Sequence, residues 1–418
     1  MSYSRVHGDG LRLYIDSMNW MFSRGLPRST EWTDRNTGAW AWNAAAKDNK
    51  YSLIDANPMK AASYNSSLNP TGHMMHEMDF QVIADNPIRH LAIMGHNAVD
   101  AEACFRLCYD TSVISAAGAG TTVGSSATPP VVVLNGTINP DTGISLTEDI
   151  SGGETDWDVD SGAAFTEGEL ILAINTVIEL QEVVKVTGIA GNTLTVTRAQ
   201  QGTAAIIFFA SDCELRRYNV VEPATDGDTI ISFSEVSNKR FWAIEVIPSD
   251  GAYHGSKDLE VGSYQIGNYH DFAIAPDLNV NHGFIQEGVN TRQTPAGRQI
   301  TFAHHLSNND STDEYSPFRY NDDYFRRMVG KEQWAMTWKG DDDVNVYPSD
   351  ISAMTSGSLL EDLILKTGIN FLPFILCTNN SSTDEGDYMW AILDQASFET
   401  LQKSWQWVGW SLKFIQKF

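Results

Sequence analysis

Residues 182–205, EVVKVTGIAGNTLTVTRAQQGTAA, leave the backbone little choice. Val183, Val184, Val186, Leu194 and Val196 are apolar and mostly β-branched, which suits a pleated, half-buried surface. Gly188 to Asn192 is turn chemistry, and Gly191-Asn192 tolerate positive φ. Alternation then places Leu194, Val196 and Arg198 on one face of the second strand and Thr193, Thr195 and Thr197 on the other. Gln201-Gly202-Thr203-Ala204 closes the unit with a second tight turn. On physical grounds alone this is a well-formed hairpin, and the rest of the chain is read around it.

Strand signals recur on both sides. Residues 79–85 and 90–95 alternate or run apolar between turn signals, with Asn86-Pro87 between them. Phe105, Leu107 and Tyr109 alternate with Cys104, Arg106 and Cys108, giving a third strand. Residues 115–130 are mainly Gly, Ala, Ser and Thr, the composition of a flexible linker. Residues 1–50 carry Trp20, Trp32, Trp40 and Trp42 among polar residues without a firm period, and are expected to form an N-terminal arm.

The last part, 260–418, has strand-like segments at 283–287, 299–303, 333–338, 370–377, 388–393 and 405–414. Two helices are expected with them. Residues 321–330 have Asp322 and Asp323 in the first turn and Arg326 and Arg327 near the end, matching the helix dipole. Residues 358–368 open on a capping box, Ser358 with Glu361, and stop at a glycine. The loop 308–314, NNDSTDE, is echoed at 379–385, NNSSTDE, either by duplication or by repeated use of solvated-loop residues.

Charge narrows the partners. Acidic residues outnumber basic ones 53 to 28 in 418 residues, a formal charge of −25. Such a surface repels phosphate backbones, so direct nucleic-acid binding is not expected. An inner surface that passes DNA without holding it, or simple solubility, fits the same charge. Four cysteines are too few for a disulfide framework, which suggests assembly in a reducing cytoplasm. No apolar run is long enough to span a bilayer, and the N-terminal residues lack a signal-peptide core.

Catalytic signatures are missing. No GxSxG, P-loop or dinucleotide fingerprint is present. His73, His76, Glu77, His90 and His96 are the best metal candidates, but their spacing is not that of a zinc protease helix. Asp341-Asp342-Asp343, Asp156/Asp158/Asp160 and the two echoed loops could meet a hard cation, yet none has EF-hand spacing. The expectation is no enzyme, no cofactor and no bound metal.

Two resemblances give these readings a direction. Residues 191–198, GNTLTVTR, followed by QGTAA at 201–205, resemble a small β-module found in tail, baseplate and fibre proteins of tailed bacteriophages. The similarity covers roughly residues 145–215. Residues 91–97, LAIMGHN, and 240–246, RFWAIEV, resemble two strands of discoidin-like jelly rolls. The implied fold is mostly β and multi-domain. It has a discoidin-like sandwich with an inserted β-module, and a C-terminal β-barrel or sandwich domain carrying two helices. The implied division is an arm at 1–50, a sandwich from 51–112 with 215–250, an insert at 113–214, and an assembly domain at 260–418.

The implied function is a structural component of a phage virion, in the tail or baseplate, assembled in the bacterial cytoplasm. Its partners would be other tail or baseplate proteins and copies of itself, as a trimer or ring. The alternative is a receptor- or carbohydrate-binding fibre protein whose partner is a host-surface glycan. Trp405, Trp407, Trp410 and Phe414 are the expected subunit interface. Trp405, Trp407 and Leu412 are assigned to one face of the last strand and Val408, Trp410 and Phe414 to the other. A strand with large apolar groups on both faces needs covering on both.

Overall fold

The computed structural model of the protein describes residues 10–23, 30–34, 61–64, 66, 74–80, 87–110, 131–134, 137–138, 141–178, 180–200, 204–218, 223–249, 252–277, 280–285, 289–293, 299–303, 331–349, 357–382, 387–395 and 397–417. The architecture is mostly β, with several sheets and only short helices. All described strand pairs are antiparallel. The longest sheet has ten strands and is assembled from both ends of the chain. Its order is Gly227–Val236, Ile88–His96, Ser263–Asp271, Arg12–Asp16, Phe374–Cys377, Tyr388–Leu393, Trp407–Gln416, Lys331–Asp342 and Asn281–Ile285. Thr400–Gln402 pairs alongside Trp407–Gln416.

One end of this sheet packs on a six-stranded sheet, ordered Thr30–Asp34, Met74–Asp79, Phe241–Pro248, Ala103–Asp110, Val131–Leu134 and Thr137–Ile138. Leu91, Ile93, Phe233, Tyr264 and Ile266 from the first sheet meet Phe105, Leu107, Trp242, Ile244 and Val246 from the second. The alternation in both sets follows from the period of two. Each large side chain buried here contributes about 1.5–3 kcal/mol. Segments before and after the 113–214 region therefore share one core, because Phe241–Pro248 lies between Met74–Asp79 and Ala103–Asp110.

The hairpin region forms a five-stranded sheet, ordered Cys213–Arg217, Leu170–Asn175, Gln181–Ala190, Thr193–Gln200 and Asp156–Asp158. Ala190 pairs with Thr193, so the turn is only Gly191-Asn192, with Gly191 at φ +66°. Gly188, expected in the turn, lies in the strand opposite Thr195, next to a bulge. Trp157, Ile171, Val184, Val186, Leu194, Val196 and Phe208 give this sheet a core of its own. On its other face Leu172 and Val183 pack with Tyr218 against Cys108, Phe241 and Ala243 of the sandwich. The module sheet starts near the Asp141–Arg216 bridge, whereas Val131–Leu134 and Thr137–Ile138 extend the sandwich sheet.

Within the segment expected to be an arm, Arg12–Asp16 is a central strand of the long sheet, flanked by Ser263–Asp271 and Phe374–Cys377. Asp16 then caps the helix Ser17–Ser23, accepting the Met18 and Asn19 N–H groups at 2.9 and 3.1 Å. This helix buries Met18, Trp20 and Met21 in the sandwich core. The chain turns so close to Gly267 that a Cβ there would sit 1.9 Å from the Ile15 carbonyl oxygen. Trp40 and Trp42 lie outside the described residues.

The long sheet crosses the boundary expected near 250–260 without a break, since Ser263–Asp271 pairs with both Ile88–His96 and Arg12–Asp16. Its far half has a second core, including Trp338, Leu363, Ile364, Phe374, Leu376, Trp410, Leu412 and Phe414. The helix expected at 358–368 is present, with a π-helical stretch at Leu360–Leu365. Ser358 Oγ accepts the Glu361 N–H at 3.4 Å, and Gly368 ends the helix at φ +64°. The helix expected at 321–330 and the loop 308–314 lie outside the described residues, as does the linker at 115–130. Leu412 has the parity of Val408, Trp410 and Phe414 and is buried with them, which corrects its assignment to the face of Trp405 and Trp407.

Candidate functional site

The four aromatic residues expected at an interface divide into two pairs. Trp410 is 4% exposed and Phe414 is fully buried, both inside the chain's own core. Trp410 stacks on Trp338 with centroids 3.8 Å apart and planes at 15°, and Phe272 lies 5.9 Å away on the same side of the core. Its indole Nε1 donates to Asp341 at 3.2 Å, and Asn345 donates to the other oxygen of that carboxylate at 2.9 Å. The interface expectation for Trp410 and Phe414 is corrected accordingly: one chain already covers them.

Trp405 and Trp407 are the opposite case, 87% and 51% exposed. They sit on a tight hairpin in which Thr400–Gln402 pairs with 408–410. The Lys403 N–H donates to the Trp407 carbonyl at 2.7 Å, and the Ser404 N–H reaches the same oxygen at 3.2 Å. The Gln406 carbonyl accepts from the Asp343 N–H at 3.0 Å, tying the loop to the short helix Asp343–Val346. Tyr347 and Thr400 hydroxyls hydrogen-bond across the gap. The Trp407 ring lies over Gly340. Leu401 on the hairpin, and Val344 and Tyr347 in and just after the short helix, are also exposed. Asp342, Asp343 and Glu399 border the hairpin, with Lys403 as the cation on it.

This hairpin can bind by area and shape, since indoles add large contact area at low entropic cost. The period-two pattern of 405–414 revealed the strand, but not which face the chain itself covers. Leu401, Val344 and Tyr347 carried no sequence signal, because their segments approach the hairpin only through the pairing of Thr400–Gln402 and Lys331–Asp342 with Trp407–Gln416.

The other candidates are structural where they are described. Arg198 makes a two-pronged pair with the buried Glu182 and donates to the Ser151, Glu154 and Ile206 carbonyls, stapling the module together. Asp158 and Asp156 accept from Thr193 and Thr195, and Asp160 from the Ser145 N–H, so these carboxylates close loops.

The histidines take separate places. His90 is buried beside Tyr14, and burial pushes it down to about 3. His96 bonds Thr229 at 2.9 Å, and burial lowers it to about 4. His76 lies buried near Tyr264. His73 is outside the described residues. Among the described residues, no three His, Cys, Asp or Glu side chains are placed to hold a metal ion.

A buried charged cluster underlies the π-helical stretch. Lys366 Nζ donates to Asp362 at 2.9 Å, and His270 Nδ1 lies 3.2 Å from the other Asp362 oxygen. Burial alone would raise the Asp362 carboxyl, but Lys366 and His270 outweigh it and hold it down at about 2. Arg106 and Glu245, both 1% exposed, pair at 3.0 Å on the sandwich face that receives the module. Such pairs fix how elements dock more than they add stability. Among the described residues, no helix is long and apolar enough to cross a membrane.

Compared with known proteins, the chain matches no family model and no curated sequence.

Proposed function

We propose that the protein is a non-enzymatic structural component of a tailed-phage virion, in the tail or baseplate, and that it acts by assembly. The observation that carries this reading is the exposed pair Trp405 and Trp407 on a rigid hairpin, beside a core whose own aromatics are already covered. A solvent-exposed cluster of this kind marks an interaction site. The residues GNTLTVTR and QGTAA, which resemble a virion β-module, give the direction toward a phage particle. Assembly as a trimer or ring, inside a bacterial cytoplasm, belongs to the same proposal.

The rival reading, a receptor- or glycan-binding fibre protein, is favoured by one feature: exposed indoles also stack on sugar rings. Two measurements separate the readings. Quantitative mass spectrometry of purified particles should find the chain at a fixed whole-number copy count. Free protein added to host cells should leave adsorption of intact particles unchanged. Absence from particles overturns the structural reading, and blocked adsorption transfers the function to receptor binding.

A further inference from the structure

We propose that the seam between the five-stranded module and the sandwich is an opening plane. The module lifts off as a folded body, well before either core unfolds, and bares the faces hidden between them. This goes beyond the assembly reading and does not depend on it.

The sequence sets up the seam. Residues 170–174, LILAI, and 183–186, VVKV, carry apolar groups at both parities of a period of two, so their strands need a cover on each face. One cover is the module itself: Ile171, Ala173, Val184 and Val186 belong to its own core. The other is the sandwich. Leu172 and Val183, with Leu170 and Ile174 partly buried beside them, lie against Cys108, Phe241 and Ala243.

The two covers are held differently. Inside the module, Leu170–Asn175 is laddered to both Gln181–Ala190 and Cys213–Arg217, and Arg198 ties down Glu182. Among the described residues no ladder crosses the seam, since module and sandwich strands belong to separate sheets. The described contact there is packing of side chains. The sandwich meets the C-terminal core in another way, through the continuous ten-stranded sheet.

A polar flaw weakens the closed seam. Arg106 shares its strand face with Cys108 and is 1% exposed. Its Nη1 donates to Glu245 at 3.0 Å, and the Tyr218 ring of the module lies 5.4 Å from its guanidinium carbon. Its Nε and Nη2 are buried and meet no acceptor. In Arg12 and Arg198 the same Nε/Nη2 edge holds a carboxylate in two prongs, Asp271 at 2.6 and 2.9 Å and Glu182 at 2.7 and 2.6 Å. Closing the seam therefore takes water from donors that gain no acceptor, which offsets part of the apolar gain. Lifting the module returns water to them. It also leaves the described ladders of both sheets intact, so it costs less than unfolding either.

The test is thiol labelling of the folded, full-length protein. Cys108 is 3% exposed and packed in the seam, so it reports opening there. Cys377, fully buried in the long sheet, reports global unfolding. The protein is treated with N-ethylmaleimide for set times, across urea concentrations below the unfolding transition. Peptide mass spectrometry then gives the labelled fraction of each cysteine. Cys108 should label at least about tenfold faster than Cys377, at a rate urea hardly changes, because little surface is exposed. Tyr218→Ala thins the module's side of the seam and should speed Cys108 roughly tenfold while Cys377 keeps its rate. Arg106→Met/Glu245→Leu replaces the buried pair with apolar groups and should slow Cys108 several-fold.

A Cys108 no faster than Cys377, with the same urea dependence, would tie it to global unfolding and overturn the inference. A fast Cys108 whose rate neither variant moves would overturn it too, because the opening would then lie elsewhere on its strand. Neither result bears on whether the chain is part of a particle.

Discussion

At the residue scale, two indoles five positions apart have opposite duties, Trp410 in the strand Trp407–Gln416 and Trp405 in the turn before it. Trp410→Ala removes an indole stacked on Trp338 and leaves a cavity plus an unmatched Asp341 oxygen. It should cost about 3–5 kcal/mol in denaturant unfolding. Trp405→Ala removes an indole that is 87% exposed and should change stability by no more than about 0.5 kcal/mol. Equal losses would show that the two residues share one core.

Asp16 makes a second residue-scale prediction. Burial pushes its carboxyl up to about 6 from 3.8, although the Asn19 and Met18 donors pull it down. At low pH the group is protonated in both states and costs nothing. As pH rises from about 4 to 6 the unfolded chain ionises first, so the folded state loses up to about 3 kcal/mol. Buried His90 and His96, lowered to about 3 and about 4, add a slope of opposite sign in the same window. The Asp16 contribution is therefore the difference between wild type and Asp16→Asn in melting across it; identical pH dependence of the two would assign the effect elsewhere. Asp362 does not interfere. Held at about 2, it contributes stability that is lost only as pH falls below about 4.

At the element scale, the five-stranded module has its own core and its own staple, Arg198 on Glu182. Residues 141–218 expressed alone should unfold cooperatively. Arg198→Ala should destabilise that fragment by about 3–5 kcal/mol, because Glu182 then stays buried without its cation. A fragment with no cooperative transition would make the module dependent on its docking to Cys108, Phe241 and Ala243. Elements of this kind were legible in the sequence because their signals are local. The alternation of Leu194 and Val196, the Gly191-Asn192 turn, and Ser358 with Gly368 all act within a few residues. Arg12–Asp16 was not legible as a central strand, since the strands it pairs with lie near 271 and 377 and no local pattern names them. Gly188 misled for a related reason: a bulge lets a glycine stay in the ladder.

At the scale of the whole molecule, one ten-stranded sheet links the sandwich to the C-terminal core, and the module docks on the sandwich through Leu172, Val183 and Tyr218. The sequence showed strands on both sides of residues 113–214 but not the continuity between sandwich and C-terminal part. That continuity comes from pairing between distant segments. It also anchors the 400–407 hairpin to Trp407–Gln416, a strand of that sheet. The central claim is that this hairpin binds outward while Trp410 and Phe414 bind inward. The most direct measurement is the ratio of chains in particles assembled from an equal mixture of wild-type and Trp405→Ala/Trp407→Ala protein, both confirmed folded beforehand. The account predicts that the variant is depleted roughly tenfold or more. Incorporation of both chains in equal amounts would contradict it.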